Sequence, residues 1–270
     1  MLRSLKDLEH YTVSATDGDI GTVVNFLLDE ESWTVRYLVV EAGGFFDGRR
    51  VLITPISFRQ AEWSTHRFHV ALTMEKVKNS PSVDTDQAVS RQHERDYFGY
   101  YGYPYYWGYS GLWGVGAYPG LLALGGRNDL RAENEPTGHA HLRSAAELRG
   151  YHVQGSDDAI GHVDDFIVDD ETWEVRYLVI DTSNWWFGKK VLVAPRWAKQ
   201  VSWGKREVHV DMSRQAIKTS PEWDPAAAVN REYEARLYDY YGRPVYWSAG
   251  ERPLGSQPPP HYSSSQTVGR

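Results

Sequence analysis

Trp33-Thr-Val-Arg-Tyr-Leu-Val-Val40 is answered 140 residues later by Trp173-Glu-Val-Arg-Tyr-Leu-Val-Ile180. β-Branched and aromatic residues dominate both runs, the composition of a half-buried strand. Outward from this pair the offset holds without a gap, from residues 2–107 to residues 142–247. Ser80-Pro81 pairs with Ser220-Pro221, and Tyr100-Tyr-Gly102 with Tyr240-Tyr-Gly242. Such a unit is far longer than the roughly 20–50 residues of a solenoid repeat and close to one compact domain. The chain is therefore a duplicated domain, and features present in both copies serve the domain.

Within each copy the pattern reads as short strands. A lead-in with Leu5 and Leu8 (Leu142 and Leu148 in copy two) reads as a turn of helix or an irregular start. Ile20 to Asp29 and Trp33 to Val40, joined by the acidic turn Asp29-Glu-Glu-Ser32, predict a hairpin. Gly21 and Gly161 share a strand position and predict a bulge or bend. Further strands are expected at Arg49 to Pro55, around 58–63, and at Arg67 to Leu72, so the economical closure is a small β-barrel. Helical turns follow at Thr73 to Pro81 and over 86–97, the latter answered by Ala226 to Leu237 with Pro225 at its start.

Composition narrows the function classes. The 270 residues carry a formal net charge of -7 and no cysteine. Disulfides, thiolate metal sites and a Cys nucleophile are thereby excluded. Copy one holds 11 basic and 15 acidic residues and copy two 14 and 17, so neither has the basic excess of a nucleic-acid binder. The N-terminus lacks the apolar core of a signal peptide, and no run of about 20 apolar residues predicts a spanning helix. The expectation is a cytoplasmic protein.

The string Gly21-x-Val23-x-x-Phe26-x-x-Asp29-x-x-x-Trp33-x-Val35-Arg36-Tyr37-Leu38-Val39-Val40, with Gly48-Arg-Arg-Val-Leu-Ile-Thr-Pro55, resembles the PRC-barrel family, and so does Gly161 through Pro195. That family takes its name from the cytoplasmic domain of the photosynthetic reaction-centre H subunit, and a related barrel occurs in a ribosome maturation factor. The tail Arg91-x-x-Glu94 … Pro104-x-Tyr-Trp107 looks like that of bacterial proteins with two such barrels. The resemblance implies a mainly β fold: two tandem six-stranded antiparallel barrels, each followed by short C-terminal helices. It implies docking to macromolecules and names no catalytic residue.

The candidate residues sort by the same duplication. His69 and His209 are expected at a solvent-facing rim, and the turn acids Asp29-Glu30-Glu31 and Asp169-Asp170-Glu171 in a solvated turn. Arg36 and Arg176 are expected to pair with a carboxylate, Asp29 or Glu41 in copy one. Trp33, Trp173, Trp63 and Trp203 are expected in the core. Phe45-Phe46 and Trp185-Trp186, beside Gly43-Gly44 and Ser183-Asn184, form the candidate interaction surface. Residues 97–126 carry no charge; the part up to Trp107 recurs and is expected to pack on the domain. The predicted organisation is domain one at 1–107, a Gly-rich then polar linker at 108–141, domain two at 142–247, and a disordered tail at 248–270. No Gly-rich phosphate loop, nucleophile elbow or zinc motif appears. The expectation is a non-enzymatic adaptor without cofactor or metal, binding a protein partner or itself and no nucleic acid directly. The alternatives are an accessory subunit associated peripherally with a photosynthetic or electron-transfer membrane complex, or a ribosome or RNA maturation accessory factor.

Overall fold

The computed structural model describes residues 1–81, 89–114, 116–124, 140–182 and 188–247. Copy one contains β1 (Leu2–Ser4), α1 (Leu5–Leu8), β2 (Thr12–Ser14), β3 (Asp19–Asp29), β4 (Val35–Ala42), β5 (Arg50–Ile53), β6 (Phe58–Glu62), β7 (Arg67–Val70), α2 (Met74–Lys78), β8 (Val89–Ser90) and α3 (Arg91–Tyr101). A short α4 (Pro119–Leu124) follows. Copy two repeats the order with β9 (Ala140–Ser144), α5 (Ala145–Leu148), β10 (His152–Gln154), β11 (Ala159–Asp169), β12 (Val175–Asp181), β13 (Lys190–Val193), β14 (Ala198–Ser202), β15 (Glu207–Val210), α6 (Arg214–Thr219) and α7 (Arg231–Tyr240).

The fold is mainly β, as expected, but the sheets are mixed rather than purely antiparallel. The first runs β5-β4-β3-β2-β7-β6 and the second β13-β12-β11-β10-β15-β14. β2 lies parallel to β7, and β10 to β15, because β7 and β15 return beside the opening hairpin in its own direction. Among the described residues no ladder joins β5 to β6 or β13 to β14, so neither sheet closes by hydrogen bonds into the expected barrel. The curvature comes from bulges. Register shifts interrupt the β2–β3, β3–β4 and β6–β7 ladders, and all three recur in copy two. The glycine expected at such a bend has a specific reason. A Cβ at Gly21 would fall 2.0 Å from the Glu41 carbonyl oxygen, and one at Gly161 2.1 Å from that of Asp181.

The long strands β3 and β11 do two jobs. The first half of β3 pairs with β2, while its last three residues pair with β9, the opening strand of copy two. Reciprocally, β1 of copy one pairs with the end of β11. Leu2↔Asp169, Arg3↔Val168 and Ser4↔Ile167 are matched, 140 residues on, by Leu142↔Asp29, Arg143↔Leu28 and Ser144↔Leu27. The two copies have exchanged their first strands. The boundaries of the two domains in the sequence are thus not the boundaries in space, and residues 140–141 belong to a strand of the first sheet.

The helices begin later than the apolar pattern predicts. Ser90 caps α3 by accepting from the His93 amide, and Asn230 caps α7 through the Tyr233 amide. Pro225 lies ahead of α7, outside it, because the Asn cap is the stronger start signal. The uncharged stretch read as a linker is folded over its described part. Leu112, Trp113 and Leu122 are buried, and backbone bridges join Gly111 to Gly114 and Trp113 to Gly116. Trp113 reaches Thr172 of copy two, while α4 packs against Pro55–Ser57 of copy one. The predicted disordered tail lies outside the described residues.

Candidate functional site

Three sets of side chains stand out: the seam between repeats, a buried carboxylate in each repeat, and the aromatic surface.

The seam is built around the acidic turns. Asp29 Oδ1 accepts from the amides of Glu31 (3.1 Å) and Ser32 (3.0 Å), and Asp169 Oδ1 from those of Glu171 (3.0 Å) and Thr172 (3.3 Å). This local turn forces Trp33 and Trp173 into the left-handed region, at φ 52° and 60°. There each carbonyl accepts from the other repeat: Val175 N to Trp33 O at 2.7 Å, and Val35 N to Trp173 O at 2.8 Å. Both tryptophans are buried, as expected, and Trp173 also packs edge-on to Phe58 and Phe68 of copy one. The turns are clamps rather than merely solvated. Arg3 Nε donates to Asp170 at 2.7 Å, and Arg143 Nε to Glu30 at the same distance. Those two arginines lie over Trp63 (3.4 Å) and Trp203 (4.5 Å), so this tryptophan pair, expected in the core, serves as a half-buried platform for the exchanged strands.

Arg36 is paired as expected, with Asp29 at 3.4 Å, and Glu41 takes no part among its contacts. Its Nη1 donates to the Leu112 carbonyl at 2.5 Å, and its guanidinium lies 3.8 Å from the Tyr106 ring centre and 4.7 Å from that of Trp113. Trp113 reaches on to donate to Thr172 O of copy two at 2.8 Å. Burial alone would raise the Asp29 carboxyl. The Arg36 guanidinium and the Ser32 and Glu31 amides outweigh it and hold that carboxyl below its ordinary value. Arg176 solves the same problem differently: Glu174 lies 2.6 Å away, Asp169 3.6 Å, and the Tyr246 ring centre 4.2 Å. Burial pushes Glu174 above its usual value, against the pull of Arg176.

A constellation that sequence reasoning quoted but did not interpret lies beneath each helix. The fully buried Glu94 accepts from Tyr37 (3.1 Å), Tyr106 (2.8 Å) and Arg91 (2.8 Å), with His141 Nε2 also 2.8 Å away. Glu234 repeats it with Tyr177 (2.7 Å), Tyr246 (2.8 Å) and Arg231 (3.1 Å). Burial pushes all four tyrosines upward, so each stays neutral and donates to the carboxylate. The available signal was Arg-x-x-Glu followed by Tyr-Trp in both copies. It ties helix, strand and tail together, and in repeat one each carboxylate oxygen has two donor groups within reach.

The candidate surface is split. Phe45 is 50% exposed, but Phe46 is 1% exposed and belongs to the core, because a single helical turn at Gly44–Phe46 directs the two rings oppositely. Trp185 and Trp186 lie outside the described residues. Tyr100 and Tyr240, which sequence reasoning did not single out, are exposed counterparts at 37% and 39%. His69 and His209 are half-exposed at the rim, beside Glu62 (3.4 Å) and Glu207 (3.1 Å). Among the described residues no group of three His, Asp or Glu side chains is arranged to hold a metal ion, and no helix is long and apolar enough to cross a membrane. A 430 Å³ groove runs between the opening of copy one, with Arg3, Asp7 and Tyr11, and the Trp223–Val229 stretch of copy two.

A PRC-barrel domain family model matches residues 2–62 and 141–216, one match in each repeat. The chain belongs to the PRC-barrel domain family. An uncharacterized protein of Deinococcus radiodurans is similar to it, 35% identical over 77 residues. That stretch covers 28% of this chain and 27% of the relative.

Proposed function

We propose that the chain is a non-enzymatic, cytoplasmic docking protein: two PRC-barrel domain repeats that present related surfaces twice to a protein partner. The observation that carries this reading is the pair Tyr100 and Tyr240. Each sits in the last turn of its helix, and each hydroxyl donates to a backbone carbonyl, Lys76 O at 2.7 Å and Ala216 O at 2.8 Å. Each ring also stands edge-on to its buried or half-buried neighbour, Tyr101 or Tyr241. An exposed aromatic held in one orientation loses little entropy on contact, which is what interface anchors require. Two of them on one frame allow bivalent attachment.

The test is purification of the tagged full chain from its native cell beside the double variant Tyr100→Ala/Tyr240→Ala. The reading expects a stoichiometric protein partner retained by the parent chain and lost by the variant, with the melting curve little changed. A stoichiometric small molecule without any protein partner counts against it.

A further inference from the structure

The repeats meet about a pseudo-twofold axis, and a residue that contacts its own counterpart 140 positions later lies on that axis. Among the described residues two such pairs occur. Glu9 Oε1 accepts from Arg149 Nη1 at 2.6 Å, with both side chains mostly buried, and Thr34 bridges to Glu174 through the main chain.

Other seam contacts do not depend on which repeat supplies which side. Arg3–Asp170 is repeated as Arg143–Glu30, and Ser4–Asp165 (2.5 Å) as Ser144–Asn25 (2.8 Å). Two copies of repeat one would keep them, with Arg3 facing Glu30, and so would two copies of repeat two. The axial residues behave otherwise, because in a like pair each meets itself. Two copies of repeat one would bring Glu9 against Glu9. Two copies of repeat two would bring Arg149 against Arg149 and the buried Glu174 against Glu174. Lys6–Asp164, at 2.6 Å, adds to the difference, since the counterparts of these residues are Ala146 and Val24. That ion pair forms only when the repeats are unlike. Like charges brought together in a shielded place are weakly screened and repel, while the unlike pair attracts.

We propose that the seam is a charge-coded pairing surface: each repeat is built to accept the unlike repeat of its own chain and to reject a second copy of itself. The code explains how the duplicated halves, whose strands are nearly interchangeable, settle on one arrangement.

The test places a protease site between 125 and 139 in the full chain, cleaves the folded protein, then unfolds and refolds the mixture. Native mass spectrometry counts the pairs. Unlike pairs are expected to exceed like pairs by about tenfold or more. The statistical mixture, in which half of all pairs are like, overturns the proposal. Uncut full-length variants give a second measurement that does not depend on refolding fragments. Glu9→Arg places two arginines on the axis and should lower the melting temperature by about 5 °C. Transposing the Glu9–Arg149 pair together with its neighbours (Glu9→Arg, Asn25→Asp, Arg149→Glu, Asp165→Asn) should recover most of that loss, because Asp165 and Asn25 are counterparts and Asp165 lies 3.8 Å from Arg149. An unchanged melting temperature in Glu9→Arg, or no recovery on transposition, overturns it equally.

Discussion

Repeat one and repeat two place the same arginine on the same strand and satisfy it by different means. Arg36 takes a backbone carbonyl from Leu112 and lies under Trp113, whereas Arg176 takes the carboxylate of Glu174. The difference traces to one position, for Glu174 is the counterpart of Thr34. Where the strand carries Glu the guanidinium is neutralised locally. Where it carries Thr, a segment from beyond the repeat is drawn in to finish the job. The buried glutamates differ in the same sense. Arg91 is 13% exposed and His141 arrives from the exchanged strand, while Arg231 is 56% exposed and Glu234 has no such histidine. Apart from the exchanged strands, this arginine and glutamate of repeat one are completed by segments beyond it, and those of repeat two by its own residues.

The most severe way to break this comparison is Trp113→Ala. A fully buried tryptophan is lost together with its bond to Thr172, and the expected cost is about 3–5 kcal/mol in chemical denaturation. A loss under about 1 kcal/mol would make the segment an ornament rather than part of repeat one.

Next come the two arginines. Arg36→Ala leaves the buried Asp29 and the Leu112 carbonyl without their partner and should cost about 3–5 kcal/mol. Arg176→Ala should cost less, about 2 kcal/mol, because Glu174 already sits above its ordinary value of 4.5 and can take up a proton. The sign follows from linkage. With Arg176 gone, burial raises the folded-state carboxyl further, and a raised carboxyl favours folding below its unfolded value and loses that advantage as pH rises. The Arg176→Ala penalty should therefore grow from about pH 4.5 toward neutrality. Melting curves at several pH values check it, and a penalty that shrinks with rising pH contradicts the assignment.

The smallest contrast is between Glu94→Gln and Glu234→Gln. Each keeps the shape and loses the charge. The expected costs are about 2–3 kcal/mol in repeat one and about 1 kcal/mol in repeat two, following the burial of Arg91 against Arg231. Equal costs would mean that the exposure of the arginine does not matter.

Much of this was legible in the sequence. The gapless offset reveals two equal repeats, the β-branched runs locate the strands, and Arg36 finds Asp29 because a hairpin turn brings the two together. The glycine at 21 and 161 predicts a bulge or bend, and the reason for glycine there is the approach of the neighbouring strand's carbonyl. What could not be read is which strand pairs with which. Leu27-Leu28-Asp29 and Ile167-Val168-Asp169 offer equivalent edges to Leu2–Ser4, and period-two patterning does not distinguish them. The open, mixed sheets were missed for a related reason, since strand count does not reveal direction. Phe46 lies in the core rather than on the expected surface, because two adjacent aromatics on a glycine loop give no hint that a single tight turn points one ring outward and the other inward. The Arg-x-x-Glu and Tyr-Trp signals lie apart in the chain and meet only once α3 has packed across β4.

Reciprocal strand exchange is the central claim, and cysteine pairing tests it most directly because the chain has no cysteine of its own. Exchange puts Arg3 opposite Val168, whereas two self-contained domains would put Arg3 opposite Leu28. Under mild oxidation the variant Arg3→Cys/Val168→Cys should form an internal disulfide, read by mass spectrometry after proteolysis, and Arg3→Cys/Leu28→Cys should not. Bonding in the second variant and none in the first would contradict the exchange.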